Sequence, residues 1–260
     1  MIVWMSTKYP TAMLTLELDK QRFIDPFLQW FDPKLHQRSV FVRSGEIVCA
    51  TTLLAVVPHR RVATPHALRI PGLFNHLRQH VIAVQPTYDT TIAVFANRIK
   101  STAGHGRLLT DQHSQQVMQA AQDAIAQHNL ALDIVEFNGT VLGKTASFRD
   151  QYRLFNSAVL VFGPHGTGFA NILWMRCDVQ VAAIEFICGA HSLRVRGCDD
   201  GGHPRLATYW SLEGGISWVK YFQVFVHDAS DEISNYMLVD LGGFSMALDK
   251  ALGHITGVKK

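Results

Sequence analysis

No stretch of the chain approaches the about 20 consecutive apolar residues needed for a helix to cross a bilayer, and none of its segments is expected to span a membrane. The first ten residues hold Ile2, Val3 and Trp4 but no basic flank leading into a long apolar run. As written, the chain is expected to carry neither a secretory signal nor a membrane anchor. Cysteine is scarce, with Cys49, Cys177, Cys188 and Cys198 the only four. They show no Cys-x-x-Cys pair and no regular spacing, which argues against a zinc site or a disulfide framework. Free, mostly buried thiols are expected; one bridge, such as Cys188 with Cys198, is the alternative in an oxidising compartment. No Asp-x-Asp triplet or Gly-x-Gly-x-x-Gly turn occurs.

Charge is also modest. Charged residues make up 17% of the 260, hydrophobic residues 48%, and the formal net charge is +3. Such a composition is that of a globular protein rather than a disordered one. It provides no broad basic field for a nucleic-acid backbone, so nucleic acid is not an expected partner. A small anionic molecule, held by a few local Arg and His residues, suits it better. A chain of this length suits one large α/β domain or two small ones.

Residues 1–86 are hard to organise from sequence. Strands are expected at 40–42 and 47–57, then a loop region punctuated by Pro58, Pro65 and Pro71, and a short helix at 73–81. From residue 91 the rhythm is regular. The apolar run 91–96 reads as a strand buried on both faces, 97–110 as a polar loop, and 112–128 as a helix with Val117, Met118, Ala121, Ala124 and Ile125 on one side. A strand at 132–137, a turn at 138–143 and a helix from Ser147 to Asn156 with a capping-box-like start come after it. Next are a strand at 158–162, a glycine-rich loop at 163–168, a helix at 169–175 and a strand at 181–187. A glycine-rich loop at 188–203, a helix near 206–212, a strand at 219–226 and a last helix carrying Phe244, Ala247, Leu248, Ala251 and Ile255 close the chain. Strands alternating with helices at this spacing imply a Rossmann-like, doubly wound parallel sheet. The expected division is a partial N-terminal α/β region, 1–86, and a nucleotide-binding domain, 87–260.

The chemistry concentrates in Gly163-Pro164-His165-Gly166-Thr167-Gly168, between a strand and a helix. Ligands of open parallel sheets sit at such places, beyond the carboxyl ends of strands. The three glycines are expected to take positive φ values and let the backbone approach a ligand. The first amides of the following helix favour negative charge, and a diphosphate is the natural guest. No Gly-Lys-Ser/Thr comes after this loop, so it is not a Walker A motif. His165 is its unusual member and a candidate donor to a phosphate oxygen or a sugar.

The run SFRDQYRLFNSAVLVFGPHGTGFANILWM, from Ser147 to Met175, resembles the signature segment of glycosyltransferase family 61. There a Ser-Phe-x-Glu-Gln helix leads through an apolar strand into Gly-Pro-His-Gly-Ala-Gly and then Asn-x-x-Phe-Met. Arg98 matches the family's strand-end arginine, and Arg107-Leu108-Leu109-Thr110-Asp111 resembles its Arg-x-Ile/Leu-Asn-Glu segment. Val181-Ala182-Ala183-Ile184-Glu185 resembles its Val-Val-Glu-Ile strand. Tyr221-Phe222-Gln223-Val224 resembles a late strand, and Val239-Asp240 looks like the opening of a terminal helix. The resemblance covers about residues 65 to 252. The departures are Thr110-Asp111 for Asn-Glu, Asp150 for Glu and Thr167 for Ala; the family's upstream Asn-x-x-His-type motif is not visible in 1–86.

The resemblance implies a GT-B-type enzyme with two Rossmann-like domains that transfers a sugar, with inversion, from a nucleotide-sugar donor, commonly a UDP-sugar. The acceptor would be a glycan or glycoprotein. The nucleotide-sugar is a substrate, so no cofactor is expected. It implies the secretory pathway, in the ER or Golgi lumen, for a eukaryotic member, and otherwise the cytoplasm. Stabilising the departing diphosphate takes a metal or fixed cations and amide dipoles. With no Asp-x-Asp, no metal is expected, and Arg98, Arg107 and the helix after Gly166 become the candidate clamp; Arg107 as a solvated loop charge is the alternative. Glu185, inside an apolar strand, is read as a ribose acceptor or as one half of a salt bridge to a nearby Arg. Gln151 is expected to order the loop, and Asn171 to complete a polar shell. The donor-binding candidates are thus Arg98, Arg107, Gly163, Pro164, His165, Gly166, Thr167, Gly168, Asn171 and Glu185. No general base is assigned, and His165 is the only catalytic candidate. The rival readings are a non-catalytic nucleotide-sugar-binding homologue, or a truncated fragment, and an unrelated Rossmann oxidoreductase.

Overall fold

Strands buried on both faces need apolar side chains at every position, and IAVFA and AVLVFGP supply them. In the computed structural model these runs are β3 (Ile92–Ala96) and β7 (Ala158–Pro164), neighbouring interior strands of a six-stranded sheet. The structure describes residues 8–17, 21–43, 45–47, 49, 52, 79, 85–89, 92–97, 108–141, 144–188, 216, 218–228 and 236–257. The sheet is completed by β4 (Asp133–Phe137), β8 (Val181–Cys188), β9 (Val219–Asp228) and β10 (Met237–Val239), in the order β10-β9-β8-β7-β3-β4. Every neighbouring pair is parallel except β10 with β9. The chain is therefore mixed α/β with a mostly parallel sheet, as the alternation of apolar runs implies.

Side chains alternate across a strand, and the two faces have different cover. Ala93, Phe95, Leu160, Phe162, Ala182, Ile184 and Phe186 join one core with α3 (Asp111–Gln127) and α5 (Leu241–Thr256). Phe162 stacks on Phe95 with ring centres 5.1 Å apart, and Phe186 meets Phe244 edge-on at 5.1 Å. On the opposite face, α4 (Phe148–Asn156) sets Phe155 edge-on against Phe137 of β4 at 5.3 Å. Each such pair adds about 0.5–1.5 kcal/mol beyond area burial.

The helix starts arise from short polar side chains. Thr110 caps α3 by accepting the His113 amide, and Asp240 caps α5 by accepting that of Gly242. Ser147 and Asp150 form a reciprocal capping box on α4. His113 is buried and ties α3 to β10. Its Nδ1 donates to Gln116, which leaves Nε2 to accept the Val239 amide at 2.8 Å.

Several expectations change. The strand expected at 158–162 continues through Pro164, so Gly163 and Pro164 belong to β7 rather than to a loop. The segment expected to be an α-helix at 169–175 is a 3₁₀ helix, Thr167–Trp174. Val239 ends β10 instead of opening the terminal helix, which Asp240 begins as its cap. The stretch expected as a turn at 138–143 contains β5 (Thr140–Val141), which pairs antiparallel with β6 (Lys144–Thr145). The helix near 206–212 and the 188–203 loop fall outside the described residues, apart from the end of β8.

The chain divides into two compact units, Met1–Gln85 and Pro86–Lys260. In the first, β1 (Leu14–Glu17) and β2 (Ser39–Val42) pair in parallel, with α1 (Gln21–Phe31) and α2 (Pro33–Gln37) between them in sequence. Sequence reading missed β1 and α1. Pro26 lies inside α1, where it removes an amide and ordinarily breaks a helix. Asp32 caps α2, and Asp25 bonds to His36 at 2.7 Å. Of the expected 47–57 strand, residues 47, 49 and 52 are described and none is in a strand, with Ile47 90% exposed. The rest of that strand, and all of the 73–81 helix but Gln79, lie outside the described residues. Cys49 and Cys177 are free, but exposed rather than buried.

Ser147→Ala removes the α4 cap and is expected to cost about 1 kcal/mol in urea unfolding. The Ser147 hydroxyl and amide bonds hold the Asp150 carboxyl below its ordinary value of 3.8. That contribution is complete above pH 3.8 and disappears as pH falls through the lowered value. The stability gap between wild type and Ser147→Ala therefore narrows in acid. His113→Leu strands the buried Val239 amide and is expected to cost about 1–3 kcal/mol.

Candidate functional site

In the sheet order, β4 lies on one side of β3 and β7 on the other, so successive connections leave β3 and β7 in opposite directions. The carboxyl ends of two such strands form the switch point at which ligands of open α/β sheets bind. Here those ends are Ala96 on β3 and Gly163-Pro164 on β7, with His165 directly after them.

Of the three turn glycines, only Gly163 has a positive φ, at +152°. Gly166 is extended at 172°, which any residue can adopt. Gly168 lies in the 3₁₀ helix, and a Cβ there meets Phe137 no closer than 3.6 Å. At Gly163 a Cβ would stand 2.4 Å from the Ala96 carbonyl oxygen. The close approach that demands glycine is thus between the two strands of the switch point.

β7 and β8 pair so that Gly163 lies opposite Glu185, and the His165 amide bonds to the Phe186 carbonyl at 2.9 Å. This extends the ladder one step past the strand and fixes the His165 backbone beside Glu185. Glu185 is fully buried, and its carboxylate can only accept hydrogen bonds. His165 Nδ1 donates to Oε1 at 2.5 Å, and the Tyr221 hydroxyl donates to Oε2. Tyr221 lies opposite Ala183, two residues before Glu185 on the same face, so it is the carboxylate's diagonal neighbour across β8 and β9. The His165 side chain remains 18% exposed. Glu185 makes an ion-pair-type contact with His165.

The segment after the turn is held from within. Asn171 Nδ2 donates to Gln151 Oε1 and to the Gly168 carbonyl, both at 3.0 Å, and its Oδ1 accepts from Trp174 Nε1 at 3.2 Å. Gln151 Nε2 donates to the Ala146 carbonyl at 3.1 Å. Asn171 thus spends its amide on the turn, with Gln151 linking it to the start of α4. The Phe169 amide bonds to the Gly166 carbonyl at 2.9 Å and closes the first 3₁₀ turn. The Thr167 backbone begins that helix, at the end where amides lack intrahelical acceptors.

The structure thus brings together Gly163, Pro164, His165, Gly166 and Glu185, with Asn171 behind the turn. Arg98 and Arg107 lie outside the described residues. Among the described residues no three His, Cys, Asp or Glu side chains are grouped to hold a metal ion, and no helix is long and apolar enough to cross a membrane. A shallow groove lies along α3, lined by Ser114, Met118 and Gln122 with Phe95 and Glu136. Sequence reading did not single out Tyr221 as a site residue. Its only signal is that it shares a sheet face with Glu185, which requires the β8–β9 register.

The family model described as Glycosyltransferase 61 matches residues 4–182. The chain belongs to the glycosyltransferase 61 family. No curated protein matches it. The match includes most of the N-terminal unit, where sequence reading saw no family motif, and stops after Ala182. It contains the whole turn and the 3₁₀ helix of this family member, while Glu185 and Tyr221 lie beyond it. Two of the chain's departures from the family pattern fall at helix starts. Thr110 caps α3 and Asp111 opens its first turn, while Asp150 is the acidic member of the α4 capping box. Thr for Asn and Asp for Glu keep those capping roles.

Gly163→Ala forces a side chain against the Ala96 carbonyl in a backbone region L-residues avoid. It is expected to destabilise the protein by about 1–3 kcal/mol. Gly168→Ala, which meets only ordinary contacts, is expected to stay within about 1 kcal/mol of wild type. Equal thermal unfolding of the two variants would contradict the strand-approach account.

Proposed function

We propose that this glycosyltransferase 61 chain is an inverting enzyme that moves a sugar from a UDP-sugar to a glycan or protein acceptor, and that its second unit is the Rossmann-like donor half of a GT-B arrangement. The observation that carries this is the His165 turn at the β3–β7 switch point, beside the start of the 3₁₀ helix. Dinucleotide-binding proteins hold diphosphates at the same topological position. In the proposed reaction the acceptor hydroxyl oxygen attacks the anomeric carbon from the face opposite the diphosphate and gives up its proton to a general base or to solvent. The bond from that carbon to the β-phosphate oxygen breaks, and its electron pair leaves on UDP. The departing diphosphate gains negative charge, and donors fixed before reaction stabilise it without reorganisation.

In this reading His165 donates to a diphosphate oxygen, the first amides of the 3₁₀ helix add their dipoles, and Arg98 and Arg107 complete a metal-free clamp. Gly163, Pro164, Gly166, Thr167 and Gly168 shape the turn, while Asn171 holds it in place. Glu185 acts through His165 instead of meeting the ribose. The N-terminal unit is the acceptor-side region.

Calorimetric titration tests the reading. UDP and UDP-sugars are expected to bind wild type and NAD is not. His165→Ala and Arg98→Ala are each expected to weaken UDP by about tenfold or more, the size of one charge-assisted hydrogen bond, with unchanged circular dichroism. Unaltered UDP affinity in both variants, or preferential binding of NAD, would sink the assignment. Release of free sugar from a UDP-sugar by the purified protein separates an active transferase from a homologue that only binds nucleotide.

A further inference from the structure

A carboxylate buried in the middle of a parallel sheet is costly unless donors satisfy it. Glu185 has no exposure, and its two oxygens take one donor each from side chains on either neighbour: His165, just past β7, and Tyr221 on β9. The three residues come from separate parts of the chain and meet on one sheet face. His165 retains 18% side-chain exposure while Glu185 retains none. The family match ends before both Glu185 and Tyr221.

A neutral histidine has one donor nitrogen and one acceptor, and the bond made by one nitrogen decides the state of the other. Because the carboxylate only accepts, Nδ1 carries a proton, and Nε2 donates to a phosphate oxygen only in the imidazolium, where both nitrogens carry protons. We propose that Glu185 is a positioning residue that orients His165 toward the donor diphosphate and balances the charge of its imidazolium, and that Tyr221 positions Glu185. Hydrogen-bonded carboxylates orient metal-bound histidines in the same way. With Nε2 also protonated, the bond to phosphate is charge-assisted. This inference rests on the proposed diphosphate site.

The experiment has two arms, both on the full chain. In the first, nitrogen-15 NMR of the ligand-free protein reads the His165 ring. Wild type is expected to show a protonated Nδ1. In Glu185→Gln the side chain offers one acceptor oxygen to two former donors, and its amide can donate to Nδ1. The His165 ring-nitrogen shifts are expected to change. In the second arm, calorimetry with UDP is run on wild type, Glu185→Gln, Tyr221→Phe, His165→Ala and the double variant His165→Ala with Glu185→Gln. Glu185→Gln is expected to weaken UDP about tenfold and Tyr221→Phe by less, while adding Glu185→Gln to His165→Ala changes nothing further. A purely structural role would lower affinity in both backgrounds alike. Should Glu185→Gln fail to fold, Tyr221→Phe, which removes one hydroxyl, carries both arms. Normal UDP affinity with unchanged ring shifts in the variants would overturn the positioning role and leave the donor site standing. No UDP binding by wild type would overturn the donor site and this role together.

Discussion

Glu185 places a negative charge where a parallel sheet has no water to solvate it, and the surrounding strands are arranged around that constraint. An isolated ionised carboxylate in such a place costs several kcal/mol even after relaxation. Two side-chain donors offset the cost, and both depend on register. β7 must bring Gly163 opposite Glu185 so that His165 emerges beside it, and β9 must bring Tyr221 opposite Ala183 so that its hydroxyl reaches forward. A slip of one residue in either pair would move these side chains to the other face. There they would enter the Phe162–Phe186–Phe244 core and leave the carboxylate bare.

The turn itself is built on a backbone constraint of a different kind. Gly163 lets β7 pass the end of β3 with no room for a side chain, which joins the two strands where the sheet topology reverses. Beyond Gly166 the chain winds into a 3₁₀ helix, a form that seldom runs long on its own hydrogen bonds. Asn171 and Gln151 supply the missing restraint by linking the Gly168 carbonyl, Trp174 and Ala146. A short polar network behind the turn thus holds its shape, and His165 stays at the front.

Two of the positions at which this chain differs from the pattern of its family resemblance are explained by capping. Thr110 and Asp150 sit at helix starts, where several small polar or acidic side chains serve equally well. Such positions tolerate exchange because capping requires one acceptor oxygen near an orphan amide, and Asn, Thr, Asp and Glu all provide it. Gly163 has no such latitude.

Much of the fold was legible in the sequence. Doubly buried strands write themselves as unbroken apolar runs, and α3, α4 and α5 carry helical periodicity, so most elements of the second unit could be read, while β10 and the β5–β6 hairpin were not. The turn also declared itself through the juxtaposition of Gly163, His165 and Gly166. Local patterns failed where tertiary contacts override them. Pro26 sits inside α1, which the sequence did not suggest, and the helix expected at 169–175 is of the 3₁₀ kind and starts at Thr167, braced by a side-chain network. Glu185 showed its oddity as a charge in an apolar strand, but its partners did not. His165 is 20 residues away and Tyr221 is 36, and sequence spacing carries no information about which strands pair or in what register. The amino-acid order determined that a buried acid and a turn histidine exist; only the paired sheet decided that they touch, because hydrogen bonding between strands distant in sequence is settled by the fold as a whole.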